Sequence, residues 1–166
     1  MRLAVFSDSH GELTTLHWAM EQVARLGKID AFIFLGDGAN DFDSCRSLMD
    51  RLSPRALLFQ VKGNNDYYPP HLADEIVYTF GGVKVFMTHG HRYQAKMTDQ
   101  GLLNAAKARG CRVCLYGHTH RPLIEEKDGI LLMNPGALRH TYGHGETAGV
   151  VDIDKDGIIK AEIILL

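Results

Sequence analysis

Short apolar runs of strand length, Leu3 to Phe6, Ala31 to Leu35 and Ala56 to Val61, alternate in the first half of the chain with stretches whose apolar residues recur every three or four positions. Leu13, Leu16, Met20 and Val23 form one such stripe, with Gly27 placed to end it. Phe42, Cys45, Met49 and Leu52 form a second, with Asn40 or Asp41 as its cap and Pro54 just beyond its end. The pattern predicts a βαβαβ opening. Parallel strands joined by crossovers gather their carboxyl ends on one edge, where open α/β sheets hold ligands. Asp8, Asp37 and Asn64 follow the three runs and are expected on that edge.

The second half has a different rhythm. Glu75 to Phe80 and Val83 to Thr88 flank Gly81-Gly82, a two-residue hairpin signal, and Asp128-Gly129 and Asp156-Gly157 mark two further turns between strand-like runs. One helix interrupts them, from a Thr98 cap through Leu102, Leu103 and Ala106 to Gly110. The expectation is an α/β (α+β) fold of two mixed β-sheets packed face to face with helices outside. Without an internal repeat or linker, residues 1–166 read as a single domain.

Polar chemistry is concentrated at the ends of the apolar runs. Asp8-Ser9-His10 offers a carboxylate and an imidazole where a strand frays into loop, though both types also cap helices. Asp37 follows Gly36, and its two oxygens are able to bridge two cations; its alternative is a loop acid. Asn64, in Gly63-Asn64-Asn65-Asp66, offers a neutral oxygen, but the segment also reads as an ordinary turn. Gly117-His118-Thr119-His120 is more specific, because two histidines beside a glycine and before Pro122 are hard to explain as core filling. His89-Gly90-His91 closes another strand with two histidines for one role. Together these segments form a mixed oxygen and nitrogen set suited to two metal ions and to metal-assisted phosphoester hydrolysis.

Composition narrows the classes. A formal net charge of -2 gives no overall attraction to polymeric DNA or RNA, and no stretch nears the roughly 20 apolar residues of a membrane span. The cytoplasm is the expected compartment. Cys45, Cys111 and Cys114 are an odd number in a domain of ordinary size, which argues against a disulfide framework. On a strand, Cys111 and Cys114 are expected on opposite faces, as buried structural thiols. Asp152 to Gly157 copies the start of a calcium loop, but the twelfth position is Ile163, so a charged hairpin turn is expected. Trp18 is expected in helix packing, and Tyr67-Tyr68, before Pro69-Pro70, at a partly buried loop edge or along a nucleotide-stacking wall.

The order D-x-H, G-D, G-N-x-D, H-G-H and G-H-T-H, followed by Asn134-Pro135-Gly136-Ala137, closely resembles the calcineurin-like metallophosphoesterases. The small size points to their compact YfcE-like phosphodiesterase branch, which includes the related retromer subunit. The resemblance runs from Met1 to about Leu138 and implies a four-layer αββα sandwich. By position it implies Asp8, His10 and His120 as ligands of one metal, Asn64, His89 and His118 as ligands of the second, and Asp37 as the bridge. A water between the metals would be the attacking group. The family ligand is the first histidine of H-G, which leaves His91 free near the site.

One position departs from many relatives. The residue after the metal-binding asparagine is Asn65 instead of a histidine, and an amide is no acid at neutral pH. His91, His140 or His144 would then deliver the proton, and Arg139 would be an exposed residue or a phosphate contact. The resulting expectation is a phosphodiesterase for small, nucleotide-like or cyclic phosphoesters, using manganese, iron, nickel, cobalt or zinc, with manganese first. Its alternatives are a broad phosphomonoesterase and a metal-site scaffold for a protein partner; the oligomeric state is open, a homo-oligomer included.

Overall fold

The structure is a computed structural model that describes residues 1–67, 71–140 and 143–166. Its elements in chain order are β1 (Arg2–Phe6), α1 (Leu13–Arg25), β2 (Ala31–Phe34), α2 (Ala39–Ser44), α3 (Arg46–Leu52), β3 (Leu57–Gln60), β4 (Glu75–Phe80), β5 (Val83–Thr88), α4 (Gln100–Ala108), β6 (Val113–Tyr116), β7 (Leu123–Lys127), β8 (Ile130–Asn134), β9 (Thr147–Ile153) and β10 (Ile159–Leu165). Two five-stranded sheets result, ordered β10-β9-β1-β2-β3 and β4-β5-β6-β8-β7. Both are mixed: β1, β2 and β3 run parallel, as do β5, β6 and β8, with antiparallel strands outside them.

Alternation along each strand divides the apolar residues between layers. In β1, Ala4 and Phe6 pack toward the helices with Leu16, Met20, Phe34 and Phe42, whereas Leu3 and Val5 face the other sheet with Val85, Met87 and Leu115. A third layer joins α4 to the back of the second sheet through Leu102, Leu103, Ala106, Phe86 and Leu132. Four layers, helices–sheet–sheet–helix, therefore enclose three apolar seams. Because β1, β2 and β6 are covered on both faces, they read as unbroken apolar runs in the sequence.

Several local expectations are corrected. The second stripe is two helices broken at Cys45, and Gly38 precedes the first of them without a side-chain cap. Asp41, expected as a cap, instead accepts from the Ser9 hydroxyl (2.6 Å) and from Gly11 N (2.8 Å), so it braces the first ligand loop. Asp99, not Thr98, occupies the cap position of α4, and the Thr98 hydroxyl accepts from Gln100 N at 3.2 Å.

Cys111 and Cys114 lie in one seam, because Cys111 precedes β6 and escapes strand alternation; both are free and buried. Trp18 is 45% exposed and Tyr67 79% exposed, so neither is packed as expected, and Tyr67 instead lines the cavity beside Asn64. Tyr68, Pro69 and Pro70 lie outside the described residues. The Asp154–Ile158 turn closes on Asp154, whose Oδ1 accepts from Asp156 N (2.8 Å) and Ile158 N (2.9 Å), and Ile163 lies within β10. Among the described residues no helix is long and apolar enough to cross a membrane.

Candidate metal centre

Five loops bearing the candidate ligands leave the carboxyl ends of β1, β2, β3, β5 and β6, all of which have parallel neighbours. The β1–β2 ladder continues past both strands: Leu35 N donates to Phe6 O (2.8 Å), Asp8 N to Gly36 O (2.9 Å) and His10 N to Asp37 O (3.0 Å). Gly117 N similarly donates to His89 O at 3.1 Å. Residues far apart in sequence are thereby fixed at neighbouring positions.

The backbone there is unusual. Asp8, His10, Asp37, His118 and His120 have φ between 47° and 66°, and they are five of the seven non-glycine residues with positive φ among those described. Left-handed backbone costs a non-glycine residue on the order of 1 kcal/mol, and such costs concentrate at functional sites. All five are residues that the sequence marks as ligands.

Their side chains converge. His120 Nε2 lies 3.0 Å from Asp8 Oδ1 and 3.2 Å from His10 Nε2. Asp37 Oδ2 stands 3.7 Å from His10 Nε2 and 3.5 Å from His89 Nε2, between two groups of imidazoles. His89 Nε2 is also 3.1 Å from Asn64 Oδ1, and the His89 and His118 rings are 5.0 Å apart. Asp8, His10 and His120 form one compact set of ligand atoms, and Asp8, Asp37 and His89 a second, so Asp8 as well as Asp37 reaches both halves.

This donor set fits divalent cations. His89 Nδ1 donates to Leu35 O at 2.7 Å, which leaves the Nε2 of neutral His89 as a lone pair facing the oxygens of Asn64 and Asp37. Three acceptors turned on one another need a proton or a cation between them. Asp8 Oδ1 is buried and faces the Nε2 atoms of His120 (3.0 Å) and His10 (3.7 Å), so this anionic oxygen is also directed into the cluster.

Electrostatics keep the donors in ligating form. Burial alone would raise Asp8, but contacts with His10 and His120, the His89 charge and the Ser7 hydroxyl hold it well below the usual carboxylate range. Burial opposes ionisation of Asp37 too, yet His89 and Asn65 bring it down to about 2. Burial first, then the charges of His89 and Lys96, push His118 down to about 4, leaving its lone pair available at neutral pH. His89 runs the other way: burial lowers it, but Asp37 and Asp8 raise it on balance, so a metal bound there would displace a proton and its loading would weaken as pH falls.

Asp66 is a supporting residue that the sequence reading left without a role. Its buried carboxylate accepts four backbone amides: Oδ2 from Asp37 N (2.8 Å) and Gly63 N (2.9 Å), Oδ1 from Gly38 N and Ala39 N (2.9 Å each). It binds the Asp37 loop to the Asn64 loop and neutralises the start of α2. The available signal was its fixed place two residues after Asn64. Asn134 does the same for the last loop, donating to Gly117 O (2.8 Å) and Thr119 Oγ1 (3.0 Å) and accepting from Gly136 N (2.9 Å). Gly63 permits the close approach: a Cβ there would overlap Asp37 N and Oδ1.

The other candidates fall in different places. Asn65 turns inward, its Nδ2 donating to Asp37 Oδ2 (2.6 Å) and its backbone N to Oδ1 (2.7 Å). His91 is half-buried beside His89 and His118, at ring distances of 5.3 and 6.1 Å, and its Nδ1 is buried without a hydrogen bond. Burial and the His89 charge lower its pKa. Arg139, His140 and His144 are exposed.

Carboxylates, an amide and imidazoles gathered at the carboxyl edge of two stacked mixed sheets define a class, the metal-dependent phosphoester hydrolases. The chain belongs to the calcineurin-like phosphoesterase superfamily, whose domain model matches residues 1–156. It is 32% identical to the Bacillus subtilis protein named probable metallophosphoesterase YsnB over 141 residues, 84% of this chain and 76% of that protein. It is 27% identical to phosphodiesterase YfcE of Escherichia coli, covering 94% of this chain and 89% of YfcE. A predicted phosphoesterase of Streptococcus pneumoniae, known from its crystal structure, superposes with a TM-score of 0.78 at 29% identity, over 99% of this chain and 88% of that one.

Proposed function

We propose that the chain is a phosphodiesterase for small phosphoesters, acting as one unit with two divalent cations. Asp8, His10 and His120 are assigned to one cation, Asn64, His89 and His118 to the other, and Asp37 to both. The observation that carries this reading is Asp37 Oδ2, set 3.7 and 3.5 Å from the Nε2 atoms of His10 and His89. A mixed donor set of oxygens and imidazoles without thiolate accepts manganese, iron, nickel, cobalt or zinc, and manganese is the metal assigned first. Bound there, the cations would supply Lewis acidity to a phosphoryl oxygen and lower the pKa of a water.

The chain's own groups do the rest. Asp66 and Asn134 hold the ligand loops, so the donors need no rearrangement. Asn65 orients both oxygens of Asp37, and is therefore a positioning residue. His91 is the group available to protonate a leaving oxygen. With an amide at position 65, diesters with good leaving groups are favoured over alkyl monoesters, in keeping with the names of YfcE and its relatives. Three free, buried thiols support a reducing compartment, the cytoplasm.

The test is a metal-activated hydrolysis screen over diesters, monoesters and cyclic nucleotides, with Asp37→Asn alongside the wild type. Manganese-stimulated diester turnover, abolished in Asp37→Asn together with loss of at least one bound metal, is expected. Faster turnover of monoesters would move the reading to a phosphomonoesterase. Metal binding without hydrolysis of any ester would leave a metal-site scaffold.

A further inference from the structure

A cavity of about 600 Å3 opens beside the His118–His120 loop, within the size range of small-molecule sites. Thr119, between the two imidazoles, forms part of its wall, so cavity and metal cluster share a boundary. Buried Tyr116 with Pro122 and Leu123 give it an apolar lining, and the exposed cations Lys96 and Arg121 stand at its edge. Among the described residues no carboxylate lines it, and neither Lys96 nor Arg121 belongs to an ion pair.

The cavity on the Asn64–His91 side is differently charged. Its cations Lys62 and Arg92 are matched by Asp66 and Asp74, and Arg92 is paired with Asp74. A diester has two arms, and the cluster thus lies between a cationic cavity and an electrically balanced one.

Building on the hydrolase reading, we propose that the Thr119 cavity binds an anionic arm of the substrate through Lys96 and Arg121, so that the preferred substrates are phosphodiesters bearing a further carboxylate or phosphate on an apolar or aromatic body. The uncharged arm lies on the His91 side and leaves. Water forms the new bond to phosphorus, the bond to the uncharged arm breaks, one proton of the water ends on the leaving oxygen and the other on the phosphoryl group, and the anionic arm is released as its monoester.

Binding of phosphonates, whose carbon–phosphorus bonds are not esters, tests this without turnover. Calorimetry on the manganese-loaded protein at low salt should give 4-phosphonobenzoate or benzene-1,4-diphosphonate about tenfold tighter binding than phenylphosphonate, since each exposed charge pair contributes up to about fivefold. The stronger of the two identifies carboxylate or phosphate as the second anion. Lys96→Ala and Arg121→Ala should each cut that preference by about threefold or more, and Lys96→Arg should retain it. Equal binding of all three probes, or a preference untouched by both alanine variants, would overturn the proposal. A preserved preference in a protein that hydrolyses no diester, monoester or cyclic nucleotide of the screen would instead overturn the hydrolase reading and leave the anion subsite standing.

Discussion

Replacing Asp66 by asparagine removes one oxygen from a carboxylate that accepts four backbone amides and puts an N–H group against donors. Two of the four bonds are lost whichever way the amide turns. Hydrogen bonds to a charged group contribute about 1.5–3 kcal/mol each, so the expected loss is roughly 3–6 kcal/mol, a large part of the about 5–15 kcal/mol that holds a typical domain together. For a chain of this size each kcal/mol lowers the unfolding midpoint by about 2–4 °C, which puts the shift near 10 °C.

The measurement is thermal unfolding of the metal-free protein, because bound metal adds its own stabilisation. The effect should extend to the site. Asp37 N and Gly38 N belong to the loop whose positive φ presents the Asp37 carboxylate, so metal content after dialysis should fall as well. A midpoint within about 2 °C of wild type, with metal content unchanged, would refute the argument that Asp66 sets the loop.

Further substitutions probe the other assignments. His89→Ala should lose metal, whereas His91→Ala should keep it and slow substrates with basic leaving groups most; metal titrations paired with a leaving-group series would exchange the two roles if the pattern reversed. Asn65→His removes the 2.6 Å bond to Asp37, so any gain in alkyl monoester turnover should come with weaker metal retention. Higher monoester turnover at full metal occupancy would show that the Asn65–Asp37 bond is dispensable. Gly63→Ala forces a Cβ into Asp37 and should lower both the unfolding midpoint and metal content; a variant matching wild type in both would show that the loops have room to shift.

The sequence by itself determined the layers and the inventory of the site. Unbroken apolar runs gave doubly covered strands, helical stripes gave the outer layers, and D-x-H, G-D, G-N-x-D and G-H-T-H put donors at strand ends, because periodicity and strand termini are local properties of a chain. Tertiary structure alone decided how the donors meet. His10 and His120 approach to 3.2 Å across 110 positions of sequence through the pairing of strands, not through any local pattern. For the same reason the four amides on Asp66, the inward turn of Asn65 onto Asp37 and the exposure of Trp18 were not legible beforehand. Each depends on which surface folding brings opposite a side chain, and a one-dimensional pattern of hydrophobicity records the side chain's face without recording what will cover it.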